Sequence, residues 1–112
     1  MIDCTRKDHI GVVRINSALT AATVDNFREQ LTDWQHRQSD IQNFVMDLEA
    51  VDFMDSAGLG ALIAALKRIT EHGGDMKLAC IQKKPRMVFE ITRAHKVFEI
   101  YNSVEDAIRA YA

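Results

Sequence analysis

The sequence has little of most things that mark a specialised class. Its two cysteines, Cys4 and Cys80, stand apart with no CxxC spacing and no histidine pair nearby. That argues against a disulfide frame or a zinc site and for reduced structural thiols. One proline and five glycines leave no low-complexity linker, and no segment repeats another. Neither charge sign dominates, since 14 basic residues face 16 acidic ones for a net −2. Neither sign is gathered into a block of the kind that marks nucleic-acid arms or ligands of anionic membranes. No apolar run approaches the ~20 residues that span a bilayer, and Met1 to Asp8 is charged, without the apolar centre of a leader. These absences predict a soluble, cytoplasmic chain without membrane insertion or a nucleic-acid partner.

What is present is 47% hydrophobic and 27% charged residues in a chain of 112, enough apolar material for one core and too little length for two. A single domain over residues 1–112 is expected. Residues 2–7 and the β-branched 10–15 read as a hairpin. Val24, Phe27, Leu31 and Trp34 recur at helical spacing, predicting a helix over 22–37 capped by Thr20 or Thr23. Phe44 to Leu48 is a short, nearly continuous apolar run, the pattern of a central strand buried on both faces. Leu59, Leu62, Ile63, Leu66 and Ile69 place one apolar face on a helix from Asp55-Ser56 to about His72, ended by Gly73-Gly74. Met76 to Ile81 is the next strand. Pro85 opens a helix whose buried face is Met87, Val88, Ile91 and Ala94. Val97 to Tyr101 reads as a short strand, and Ser103-Val104-Glu105-Asp106 starts a last helix with Ala107, Ile108 and Tyr111 inward. Met46, Met54, Met76 and Met87 are expected in the core. The order β-β-α-β-α-β-α-β-α predicts an α/β domain, a mixed sheet with about four packed helices.

The segment Asp52 to Gly60 concentrates the chemistry, with Asp52, Asp55, Ser56, Gly58 and Gly60 at a strand-to-helix junction. A glycine inside a helix costs up to about 1 kcal/mol relative to alanine, so two in the first turns imply that something approaches the backbone closely. Ser56 falls where the first helical amides lack partners and the dipole is positive, so a phosphate there is tolerated. The plainer alternative is that Asp55 or Ser56 caps the helix, worth about 1 kcal/mol. Spacing alone leaves the two readings even.

Asp55-Ser56-Ala57-Gly58-Leu59, with the preceding strand, Leu62, Lys67-Arg68 and Gly73-Gly74, resembles the signature of the STAS domain, specifically the bacterial anti-sigma factor antagonists. Glu90-Ile91-Thr92, Val97 to Tyr101 and Ser103 to Ala107 are similar to the C-terminal half of that family. The resemblance implies a regulatory switch without catalysis, cofactor or metal. A serine kinase of the histidine-kinase-like ATPase fold would phosphorylate Ser56, and a metal-dependent serine phosphatase would reverse it. The unphosphorylated chain would bind that kinase, an anti-sigma factor, and release its target. The implied partner surface is Leu19, Thr20, Phe53, Met54, Asp55, Ser56, Ala57, Gly58 and Gly60. Two positions depart from the family. Ser17-Ala18-Leu19-Thr20 replaces a Gly-Glu-Leu-Asp-like stretch, leaving Thr20 where an acidic contact is expected, and Arg93 stands where a glycine is common.

Other functions fit less well. A nucleophile elbow needs a glycine where Met54 stands and a far longer hydrolase fold, and His9, His36, His72 and His95 are scattered. A phosphoaspartate receiver on Asp47 needs magnesium-binding acids after its first strand, where Arg14-Ile15-Asn16 stands instead. Asp47 is better read as support for the following loop. The stronger alternative is a STAS switch or ligand-binding module with a non-sigma output such as biofilm formation or enzyme activity.

Overall fold

The hairpin forms as the sequence suggests: β1 (Ile2–Lys7) and β2 (Ile10–Ile15) pair antiparallel, Ile2 opposite Ile15 and Lys7 opposite Ile10. Asp8 turns the chain at φ 55°, a left-handed conformation that aspartate tolerates better than most residues. The computed structural model describes residues 1–112. Strands β3 (Asn43–Asp47), β4 (Asp75–Ala79) and β5 (Ile100–Tyr101) add in parallel beyond β2, giving a sheet ordered β1-β2-β3-β4-β5 with β3 at its centre.

Each parallel step is bridged by a helix: α1 (Val24–Arg37), α2 (Ser56–Glu71) and α3 (Lys83–Ile91). Right-handed crossovers advancing in one direction put all three on one face of the sheet. Strand alternation divides the core accordingly. Val13, Ile15, Phe44, Met46, Met76 and Leu78 meet Phe27, Leu31, Leu62 and Phe89 in the main cluster. Val45 and Ala79 face the other way, against Ala107 of α4 (Val104–Arg109). Lys77 lies on that second face, nearly buried, with its ammonium paired to Asp75 at 3.3 Å and to Glu99, and 4.5 Å from the Tyr111 ring. Tyr111 donates its hydroxyl proton to the Phe44 carbonyl at 2.8 Å, so the chain end is tied to the central strand.

Three expectations change. The strand over 97–101 shrinks to Ile100–Tyr101, because Ala94–Lys96 forms a 3₁₀ turn and the Val97 amide closes it on Ala94 at 3.0 Å. Met87 and Ile91 are not core residues. They are 52% and 79% exposed, while Pro85 and Phe89 turn inward. Phe89, the largest apolar side chain of α3, sets the helix rotation by packing on Phe98 with ring centroids 5.6 Å apart. Ile63 of α2 is 41% exposed, its expected inward place being taken by Ala65.

Arg93 stands just past the end of α3 with φ 63°, the left-handed conformation that closes helices and favours glycine. A glycine, expected here from the resemblance, would adopt this conformation without strain. Arg93→Gly is expected to raise stability by about 0.5–1 kcal/mol in urea unfolding. An unchanged or lower midpoint would show that the arginine side chain offsets its backbone strain.

Candidate functional site

The site lies at the C-terminal edge of the parallel strands, where β3 hands over to α2. Asp47 ends β3 and accepts hydrogen bonds from the Arg14 guanidinium at 3.3 Å and the Glu49 amide at 3.1 Å, so it supports the following loop as the sequence suggests. Leu48 and Val51 are buried and anchor that loop, leaving Asp52 and Phe53 outside.

The β3–α2 loop is then laced to the loop between β2 and α1. Leu19 and Met54 form an isolated parallel bridge, with the Leu19 amide on the Phe53 carbonyl at 3.0 Å and the Asp55 amide on the Leu19 carbonyl at 3.3 Å. Asp55 fastens the junction. One carboxylate oxygen accepts from the Gly58 amide at 2.9 Å, capping α2, and the other accepts from the Ala21 amide at 3.0 Å. These two amides hold the Asp55 carboxyl below its usual pKa. Asp55 is thus the cap. Ser56 is the first residue of α2, exposed and free of these bonds.

A carboxyl whose pKa is lower folded than unfolded stabilises the fold above its unfolded value near ~3.9, and that contribution is lost as pH falls through the folded value. Asp55→Ala is expected to lower the thermal midpoint by about 4–8 °C at pH 7. The gap from wild type should narrow below about pH 4, as the wild-type carboxyl protonates. A gap of constant size from pH 7 to pH 2 would contradict this role.

The β2–α1 loop has its own bracing. Thr20 Oγ1 accepts from the Ala22 amide at 3.2 Å. Thr23 precedes α1 but does not cap it with its side chain, accepting instead from the Thr20 amide at 3.0 Å and donating to the Ala18 carbonyl at 2.9 Å.

The two glycines differ. A Cβ on Gly58 would lie 1.9 Å from the Leu19 carbonyl oxygen, so the close approach that its presence implied comes from the chain's own backbone. A Cβ on Gly60 would meet nothing within 4 Å. Of the expected surface residues, Phe53, Ser56 and Gly60 are exposed, while Thr20, Asp55 and Ala57 are half-buried. Leu19, Met54 and Gly58 are buried and hold the surface from beneath, a correction that follows from the bridge between the two loops. Sequence reasoning missed exposed Ile63 and Ala64, on the Ser56–Gly60 face of α2, and Ala21 and Ala22 across the junction. Ile63 was hidden by its helical spacing with core residues; nothing in the sequence signals the Ala21 amide.

Two histidine rings make hydrogen-bond contacts, His72 Nδ1 with the Arg68 carbonyl at 2.7 Å and His95 Nδ1 with the Phe89 carbonyl at 3.2 Å, and neither reaches Ser56. A cavity of about 520 Å³ is lined by Thr32, His36, Ile41, Phe44, Arg68 and His72, at the opposite edge of the sheet. No helix is long and apolar enough to cross a membrane.

The STAS domain family matches residues 1–107. The anti-sigma F factor antagonist of Paenibacillus polymyxa is 27% identical over 97 residues, 87% of this chain and 82% of that protein. Among solved structures, an anti-sigma factor antagonist from Mycobacterium paratuberculosis superposes with a TM-score of 0.85 at 22% identity, covering 98% of this chain and 92% of that one. The Bacillus cell fate determinant SpoIIAA, solved in its phosphorylated form, gives 0.74 at 18% identity over 100% of both chains. At those identities the superpositions speak for the fold. With a family match spanning both junction loops and all five strands, the chain belongs to the STAS domain family.

Proposed function

We propose that this protein is an anti-sigma factor antagonist whose partner binding is switched by phosphorylation of Ser56. The observation that carries the proposal is an exposed serine hydroxyl at the first position of α2, on a junction held by other residues. Because Asp55 and the Leu19–Met54 bridge fix the backbone, Ser56 can be modified without unfastening the loops.

Around Ser56, exposed Phe53, Gly60, Ile63 and Ala64 on one side and Ala21 and Ala22 on the other form a largely apolar surface suited to another protein. The partner is a serine kinase of the histidine-kinase-like ATPase fold that doubles as the anti-sigma factor. It transfers the γ-phosphoryl group of ATP to the Ser56 oxygen, whose proton leaves to a base on the kinase. A metal-dependent serine phosphatase hydrolyses the ester.

Phosphate adds about −1.5 to −2 charge at pH 7. No basic side chain lies in the first turn of α2, the neighbouring Asp55 is itself acidic, and the Gly58 amide is already engaged. Apart from the partial positive charge of the helix N-terminus, nothing offsets the added charge, which faces the partner.

Ser56→Ala used as bait in host lysate should recover an ATPase of this fold. With ATP, that purified kinase should add one phosphate to the wild-type chain, placed on Ser56 by mass spectrometry, and none to Ser56→Ala. Phosphate on any other residue, or none, would overturn the assignment.

A further inference from the structure

The outer surface of α3 and the turn after it combine two features that the Ser56 switch does not use. Residues 83–97 carry Lys83, Lys84, Arg86, Arg93 and Lys96 against Glu90 alone, a net +4 that leaves −6 on the rest of the chain. The cations are interleaved with apolar residues, so no block is visible in the sequence. All five are exposed, and none forms an ion pair, although eight such pairs form elsewhere.

Among them stand the three most exposed large aliphatic side chains of the molecule, Met87 at 52%, Ile91 at 79% and Val97 at 59%. Helical geometry explains the arrangement. Pro85 and Phe89 point into the core, and Met87, two positions from each, lies about 200° around the helix from both. Ile91 follows Met87 by one turn. Lys83 and Lys84 precede this apolar ridge, and Arg93 and Lys96 follow the helix end.

We infer that this face docks on an anionic lipid surface. A ridge of aliphatic side chains on the outside of a helix enters the headgroup boundary, while long cationic side chains at both ends remain with the headgroups. Phosphate-bearing headgroups complement the local charge without a shaped partner surface. The free state of all five cations fits such an occupant, because no internal bond has to break before they reach it. An acidic protein face is the competing occupant and is separated by the test.

The test uses the full chain in flotation with vesicles of phosphatidylcholine alone or mixed with phosphatidylglycerol. Flotation is expected only with the anionic vesicles and is expected to fall on adding salt. Each neutralised cation should lower partitioning about five-fold, so Lys83→Gln with Lys84→Gln and Arg86→Gln together should lower it about a hundred-fold. Met87→Ser with Ile91→Ser should lower it roughly ten-fold with the charges intact. All five positions are exposed, and far-ultraviolet circular dichroism should confirm that the variants stay folded. Absence of flotation with anionic vesicles, equal flotation with both kinds, or flotation that the charge variant leaves unchanged would overturn the inference. So would binding to polyglutamate without binding to vesicles, which would assign the face to an acidic protein.

Discussion

Gly58→Ala is expected to destabilise the protein by about 2–4 kcal/mol and to weaken partner binding, whereas the same substitution two residues along should do neither through the fold. The added methyl at position 58 would sit 1.9 Å from the Leu19 carbonyl oxygen, 2.7 Å from its carbon and 3.0 Å from Met54 Cγ. Two of these atoms are backbone, so relief requires the β2–α1 loop to move away from α2. That movement strains the Asp55–Ala21 hydrogen bond and the Leu19–Met54 bridge together. At position 60 the methyl enters open space, and replacing a helical glycine by alanine should stabilise by about 0.5–1 kcal/mol. Opposite signs in urea unfolding would establish that Gly58 serves an internal contact. Equal effects at the two positions would contradict the loop-to-helix contact. Gly60→Ala also reads the surface directly, since a methyl there alters the proposed interface without disturbing its support.

Most of the architecture was legible because patterning on the sheet and on α1 is unambiguous, and on α2 it misplaces only Ile63. Phe44 to Leu48 could be placed centrally because a run apolar on both faces has only one location in a sheet covered by helices. The errors cluster after β4, where apolar periodicity ceases to determine orientation. Met87, Val88 and Ile91 satisfy helical spacing, yet the stripe omitted Phe89, whose contact with Phe98 depends on tertiary placement. At the site, the Asp-Ser-x-Gly segment revealed the junction but not its division of labour. Capping by Asp55 and exposure of Ser56 follow from the extended backbone at Asp55, and the close approach at Gly58 from a loop 39 residues earlier in the chain. Local spacing offered Asp55 and Ser56 equally as the cap, and it encodes nothing of the approach to Gly58. Leu19 and Met54 were rightly associated with the same junction, but only the bridge between them shows that they support the surface rather than form it.

Ser56→Asp is expected to bind the partner ATPase about a hundred-fold more weakly than wild type, with Ser56→Ala within about three-fold of wild type. Serine at this position is exposed in the free protein but would be enclosed by the partner, surrounded by Phe53, Gly60, Ile63 and the Ala21–Ala22 loop. Enclosing a neutral hydroxyl or a methyl costs little. Enclosing a carboxylate there removes water from a charge that only the partial charge of the helix N-terminus offsets, since the first turn of α2 holds no basic side chain and Asp55 already occupies the Gly58 amide. Phosphoserine should act in the same direction and more strongly, having greater charge and bulk. The neutral Ser56→Asn separates charge from size, because its side chain nearly matches aspartate in volume. Binding by Ser56→Asn close to wild type, with Ser56→Asp weak, would locate the switch in electrostatics. Equal weakness of both would make it steric, and equal strength of all variants would remove Ser56 from the interface. Because Asp55, not Ser56, holds the loops together, all three variants should unfold at the wild-type midpoint to within a few degrees. Unequal binding at equal stability is the signature of a side chain read directly by the partner, and not of a domain that refolds when modified.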